Sequence, residues 1–165
     1  MNEELTIKRD RMRFTKNTLS STLAILAIVF DVFYFINIYK SDVGHSVGNF
    51  YYQSRIGVSI VYNLVFMLAA FLASEGVKNY RKEYCWVLLV IGVLQIVRIF
   101  ILPAQASAAE VTIGGVTTKV MESPQHVRVT IYLLLSAAGC IAGGVIGAIR
   151  CRELSEHLAS IGEKA

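Results

Sequence analysis

Asp31, Asn63, Gln95, Arg98 and Ser136 each interrupt a long aliphatic run, and ionisable or polar side chains at such places are costly enough to need a reason. Two of them are charged and of opposite sign. An Asp31–Arg98 pair, with Asn63 and Gln95 supplying the remaining hydrogen bonds, replaces two charges that would each cost ~2.5–3.5 kcal/mol in a membrane with one shared group. Gln95 and Arg98 are three residues apart, so both lie on one face of a helix. A pair of this kind has two chemistries: it fixes helix register, or its carboxylate exchanges a proton or cation with the medium while the guanidinium balances the charge. Two further arrangements stay open, Arg98 reaching outward to the headgroups and a partner subunit supplying the counter-charge.

A second pattern concerns packing. Gly139, Gly143 and Gly147 repeat every fourth residue with Ala138, Ala142 and Gly144 beside them, a ridge that lets another backbone approach closely. That neighbour is either a helix of this chain or one of another chain. The glycines do not form a phosphate loop, because no Lys-Ser/Thr follows them.

The elements that must position these residues follow from composition. Of 165 residues, 55% are hydrophobic and 17% charged, with a mean hydropathy of +0.54; ordinary soluble domains are ~45–50% apolar and ~25% charged. The length leaves room for about four apolar spans of ~18–25 residues and no large soluble domain. Spans are read at 19–38, 56–73, 84–102 and 129–149, the third closed by Pro103. The first is too long, and ends in the wrong residues, for a cleaved signal peptide. At ~1.5 Å per residue, Asp31 lies ~18 Å from the inner boundary, Gln95 and Arg98 ~16 and ~21 Å, and Asn63 ~20 Å. One polar layer in the outer half of the bilayer results. The expected fold class is therefore an all-α membrane protein, a four-transmembrane-helix bundle.

Basic residues are retained on the cytoplasmic side. Lys8, Arg9, Arg11, Arg13, Lys16, Lys78, Arg81, Lys82, Arg150, Arg152 and Lys164 make eleven on one face, against Lys40, Arg55, Lys119 and Arg128 on the other. Both termini are expected in the cytoplasm, with 1–18 as a basic N-terminal segment and 150–165 as a helical tail able to lie on the membrane or dock onto a partner. Tyr34, Tyr39, Phe50, Tyr51 and Tyr52 are read as marking the outer interface, and Tyr80, Tyr84 and Trp86 the inner one. The net charge of +4 is accounted for by the inner loops, so no nucleic-acid partner is expected; the 8–16 run suits an anionic leaflet. Between Pro103 and Pro124, two β-branched runs flank Gly114 and Gly115, a pattern for a small external β-hairpin. It is expected to act as a lid or to offer its edge to a partner strand.

Several chemistries lack their residues. Cys85, Cys140 and Cys151 contain no Cys-x-x-Cys pattern, and His45, His126 and His157 lie outside the spans, away from any haem at membrane depth. An external metal site from His45, His126 and Asp42 or Glu122 is the weaker alternative. No nucleophile, base and orienting group fall together, so neither an enzyme nor a cofactor is expected. The absence of an Asn-x-Ser/Thr sequon fits a bacterial plasma membrane. The sequence thus reads as an accessory or scaffolding subunit of a larger membrane complex such as a transporter, its partners being the bilayer and other membrane subunits or itself. The alternative is an autonomous small proton- or ion-coupled transporter or channel acting as a homo-oligomer.

Overall fold

The computed structural model describes residues 7, 10–39, 50–108, 110–113, 116–119 and 121–162. Four helices are long and apolar enough to cross a membrane: α1 (Thr18–Tyr39), α2 (Phe50–Lys78), α3 (Lys82–Ala108) and α4 (Ser123–Ser160). The chain is an all-α integral membrane protein. Its outer surface carries large apolar side chains on every helix, among them Phe33, Leu68, Phe100 and Leu134, an amount of exposed hydrocarbon that needs lipid rather than water beside it.

What turns inward is small or polar. On α1 the buried stripe is Ser20, Ser21, Ala24, Ala27, Asp31, Tyr34 and Ile38, spaced by three and four as one face of a helix requires. On α3 it is Cys85, Leu88, Ile91, Gly92, Gln95 and Arg98. Both stripes meet α4, where a Cβ on Gly139 would stand 2.9 Å from the Ala27 Cβ, and one on Gly143 would stand 3.0 Å from the Ser20 carbonyl. Gly144 faces Leu89 and Cys85 on α3 in the same way, and Gly147 meets Val77, Cys85 and Ser20. The glycine ridge is thus occupied within the chain, with α1 on one flank and α3 on the other. The Ser20 hydroxyl donates to the Gly143 carbonyl across this contact, a bond that only close backbones permit.

The α2–α3 connection is a tight turn. Tyr80 takes a left-handed conformation with φ 56°, and the Arg81 N–H returns to the Gly76 carbonyl at 3.1 Å, closing the end of α2. The start of α1 is tied to the same place, since the Asn17 N–H donates to the Lys78 carbonyl at 3.0 Å. At the opposite end, the Gln125 side chain donates to the Asn37 carbonyl at 2.7 Å and so fastens the start of α4 to the end of α1. Between α3 and α4, β1 (Glu110–Ile113) and β2 (Val116–Lys119) pair antiparallel, with Glu110 opposite Lys119. Four residues per strand make an appendage, and the fold class remains all-α.

Two expectations are corrected. Pro103 does not close the third helix, which continues to Ala108 with Pro103 buried inside it. A proline removes one backbone donor, and helices packed in a membrane re-satisfy the freed group through neighbours. Tyr34 and Tyr39 pack against neighbouring helices instead of standing free on the outer surface of the bundle. Tyr34 is 1% exposed and lies in a buried cluster with Ile38, Ala106, Met121, Val129 and Leu133, and Tyr39 packs against that cluster. The α4 helix runs unbroken through 38 residues, about 57 Å at 1.5 Å per residue, against a hydrocarbon core of ~30 Å. Its last turns leave the span, and His157 there is buried 3.7 Å from Asp10 of the N-terminal segment.

Candidate functional site

Two apolar clusters fill the bundle. One, near the start of α1, is built mainly of alanines and other small residues with Phe66, Val77, Leu88 and Ile91; the other holds Tyr34, Ile38, Met121, Val129 and Leu133. Between them on α1, α3 and α4 lie Asp31, Gln95, Arg98 and Ser136, all buried. The stripes described above force this coincidence, since each polar residue continues the inward face of its helix.

Within the layer the hydrogen bonds form a triangle. Arg98 Nη1 donates to Asp31 Oδ1 at 3.0 Å and to Gln95 Oε1 at 2.7 Å. Gln95 Nε2 donates to the same Asp31 Oδ1 at 3.0 Å and to Ser136 Oγ at 3.2 Å. Gln95 therefore uses both ends of its amide, accepting from the cation and donating to the anion. The ion-pair side chains are 5% and 2% exposed for Arg98 and Asp31. Charge-assisted bonds of this kind are the strong ones in a desolvated setting.

The guanidinium has a second set of neighbours absent from the sequence reading. Its carbon lies 4.7 Å from the Tyr34 ring centroid, 5.2 Å from Phe66 and 5.4 Å from Tyr62. Aromatic faces attract a cation electrostatically, by about 2 kcal/mol or more when water is excluded. The signal in the sequence was spacing: Tyr34 follows Asp31 by three residues, and Tyr62 and Phe66 are one helical turn apart.

Asn63 does not join this layer. It is fully buried, and its Nδ2 donates to the Tyr39 hydroxyl at 3.2 Å, which itself donates to Ser59 at 2.8 Å. Tyr39 lies eight residues beyond Asp31, about 12 Å along the helix axis. The helix carrying Asn63 begins at Phe50, six residues before the apolar run from which its depth was counted, so a depth read from hydropathy alone was in error. On α2, the charged layer is completed by aromatic rings instead of an amide.

Beside Arg98, between α2 and α3, is a cavity of about 370 Å³ lined by Tyr34, Ser59, Tyr62, Arg98 and Leu102 with neighbouring aliphatic residues. Asp31 Oδ2 is buried without a hydrogen-bond partner among the described residues. The arrangement can hold one carboxylate and one guanidinium as a neutral unit, and it leaves one carboxylate oxygen with unused lone pairs.

The remaining candidates are dispersed. Cys85 and Cys151 Sγ atoms are 3.8 Å apart, and Cys140 lies in the same small-residue cluster. His45 and Asp42, half of the alternative metal site, fall outside the described residues. Among the described residues no three His, Cys, Asp or Glu side chains gather as metal ligands do.

Fold and site together define a four-helix integral membrane protein with an ion-paired layer buried across its bundle. Compared with known proteins, the chain matches no family model, no curated protein and no solved structure.

Proposed function

We propose that this chain is a non-enzymatic accessory or scaffolding subunit of a larger membrane complex such as a transporter. The observation that carries the reading is the closed triangle of Asp31, Gln95 and Arg98. The charges that would mark an ion path in a transporter are spent on one another, locking α1 to α3, so recognition falls to the outer surface. α2 offers one such face, exposing Val61, Leu64, Val65, Leu68, Phe71 and Leu72. With the basic residues retained inside, both termini are cytoplasmic and β1 and β2 stand on the external face; the lack of an Asn-x-Ser/Thr sequon supports a bacterial plasma membrane.

A specific observation favours a second reading, an autonomous proton- or ion-coupled transporter acting as a homo-oligomer. Asp31 Oδ2 is unpartnered among the described residues, and a cavity of about 370 Å³ reaches Arg98. Solubilising native membranes in mild detergent, isolating the chain and identifying bound proteins by mass spectrometry separates the two. A reproducible stoichiometric partner is the expected result. Recovery of the chain only with copies of itself overturns the accessory reading and makes flux through Asp31 in liposomes the next measurement.

A further inference from the structure

At the end of the bundle where α1 and α3 begin, the chain turns back on itself before entering α1. The Arg13, Phe14 and Thr15 N–H groups return to the Asp10 and Arg11 carbonyls at 3.1–3.2 Å, and the Thr15 hydroxyl also donates to the Arg11 carbonyl at 3.1 Å. This turn sets Arg11 and Lys16 on one side of a cavity of about 530 Å³, facing Arg150 and Glu153 on α4. The volume is that of a ligand site. Three cations line it against one carboxylate. Met12 on the turn and Ile146 and Ile149 on α4 give it an apolar side, and Thr15 and Tyr80 complete the lining.

Arg150 is held in place. Its Nη1 donates to Asn17 Oδ1 at 3.1 Å, and Asn17 is fully buried with its N–H on the Lys78 carbonyl. The cation is therefore positioned by the junction of α1, α2 and α4 before any ligand arrives, which lowers the ordering cost of binding. The level is equally informative. α1 starts at Thr18 and α3 at Lys82, so the cavity sits where the apolar spans give way to charged residues. Ile149, more than half exposed, continues its apolar wall toward the surrounding lipid.

We propose that this cavity binds the phosphate headgroup of an anionic phospholipid, Arg11, Lys16 and Arg150 surrounding the phosphate while Ile146 and Ile149 lie along the glycerol and the upper acyl chain. A cationic rim over an aliphatic wall matches a molecule that is anionic at one end and apolar at the other, and basic pockets between membrane helices recognise such headgroups. A free phosphate ion would use the rim alone. The site is independent of whether the chain serves a partner or transports an ion, so its test and that of the accessory reading fail separately.

The test is native mass spectrometry of the full-length chain in neutral detergent, titrated with phosphatidylglycerol, phosphatidylcholine or inorganic phosphate. One phosphatidylglycerol is expected to be retained in preference to phosphatidylcholine. R11Q and K16Q change exposed side chains away from the packed bundle, and each is expected to weaken retention about five-fold, the equivalent of about 1 kcal/mol per basic residue. R152Q removes the same charge from a side chain that is bonded to Glu156 and does not line the cavity; it is expected to leave retention unchanged. Equal loss in R152Q and K16Q would show a diffuse charge effect and overturn the site. So would equal retention of the two lipids, or complete displacement of phosphatidylglycerol by millimolar inorganic phosphate, which would assign the rim to a free anion. A melting curve for each variant shows that it is folded.

Discussion

Replacing Asp31 by Asn changes almost nothing but charge. Both hydrogen bonds to the carboxylate arrive at Oδ1, and Oδ2 accepts none among the described residues; an asparagine with its carbonyl in the Oδ1 position keeps both bonds and puts its amide where Oδ2 was. What is lost is the counter-charge of Arg98, a side chain only 5% exposed. Removing one partner of a buried ion pair costs about 3–5 kcal/mol. Gln95 Oε1 and the three ring faces remain on the guanidinium, which sets the expected loss at the lower end, ~3 kcal/mol, or about 140-fold in the folded-to-unfolded ratio. Arg98→Gln leaves the opposite charge uncompensated and is expected to lose a similar amount. Combining them removes both charges, so the double variant should be more stable than the sum of the single losses implies, by about 2 kcal/mol. The assay is unfolding of the purified chain in mixed micelles on raising the fraction of denaturing detergent, followed by the fluorescence of Trp86, the one tryptophan. Losses that add to within ~0.5 kcal/mol would show that the two residues do not interact. A fully stable D31N protein would refute the reasoning outright.

Three further outcomes follow from the packing and the charge pattern. G139A sets a methyl group 2.9 Å from the Ala27 Cβ and 3.0 Å from the Leu23 carbonyl, so it should cost about 1–3 kcal/mol as other overpacked sites do; G57A, with nothing within 4 Å, should be neutral in the same micelle assay. Mild oxidation should join Cys85 to Cys151, whose sulfurs are 3.8 Å apart, and leave Cys140 free. Counting thiols with a maleimide mass tag after denaturation should find one of three, and finding all three would place α3 and α4 wrongly. Reporter domains fused at either terminus should be active only in the cytoplasm, and one inserted at 114–115 only outside; opposite results at the two termini would rule out four crossings.

The helices were legible because a bilayer makes a coarse demand, about twenty apolar residues per crossing, and four runs meet it. Asp31 and Arg98 stood out for the same reason, as the charged residues in those runs, and Gln95 followed from its spacing of three from Arg98. Spacing along one helix is sharp, whereas depth compared between helices is not: Asn63 was set level with Asp31 by counting from an apolar boundary, yet it meets Tyr39. The aromatic faces around Arg98 were hidden by a competing rule. Tyrosines near a span's end are enriched at interfaces, and Tyr34 was read that way although its register placed it over Asp31. Glycines 139, 143 and 147 announced a close approach but not its partner, because a small-residue ridge serves a helix of the same chain or of another equally well. Identifying α1 as that neighbour required the fold. Pro103 was misread since a helix in hydrocarbon tolerates a proline that would end one in water.

The most direct measurement of the buried pair is a magnetic-resonance distance in lipid bilayers, with ¹³C at the Asp31 carboxyl and ¹⁵N at the Arg98 guanidinium. Strong dipolar coupling between the two labels is expected, matching the 3.0 Å contact of Nη1 with Oδ1, with no coupling of Arg98 to lipid ³¹P. Coupling to phosphorus in place of the carboxyl would mean that Arg98 reaches the headgroups, and the layer that locks α1 to α3 would not exist.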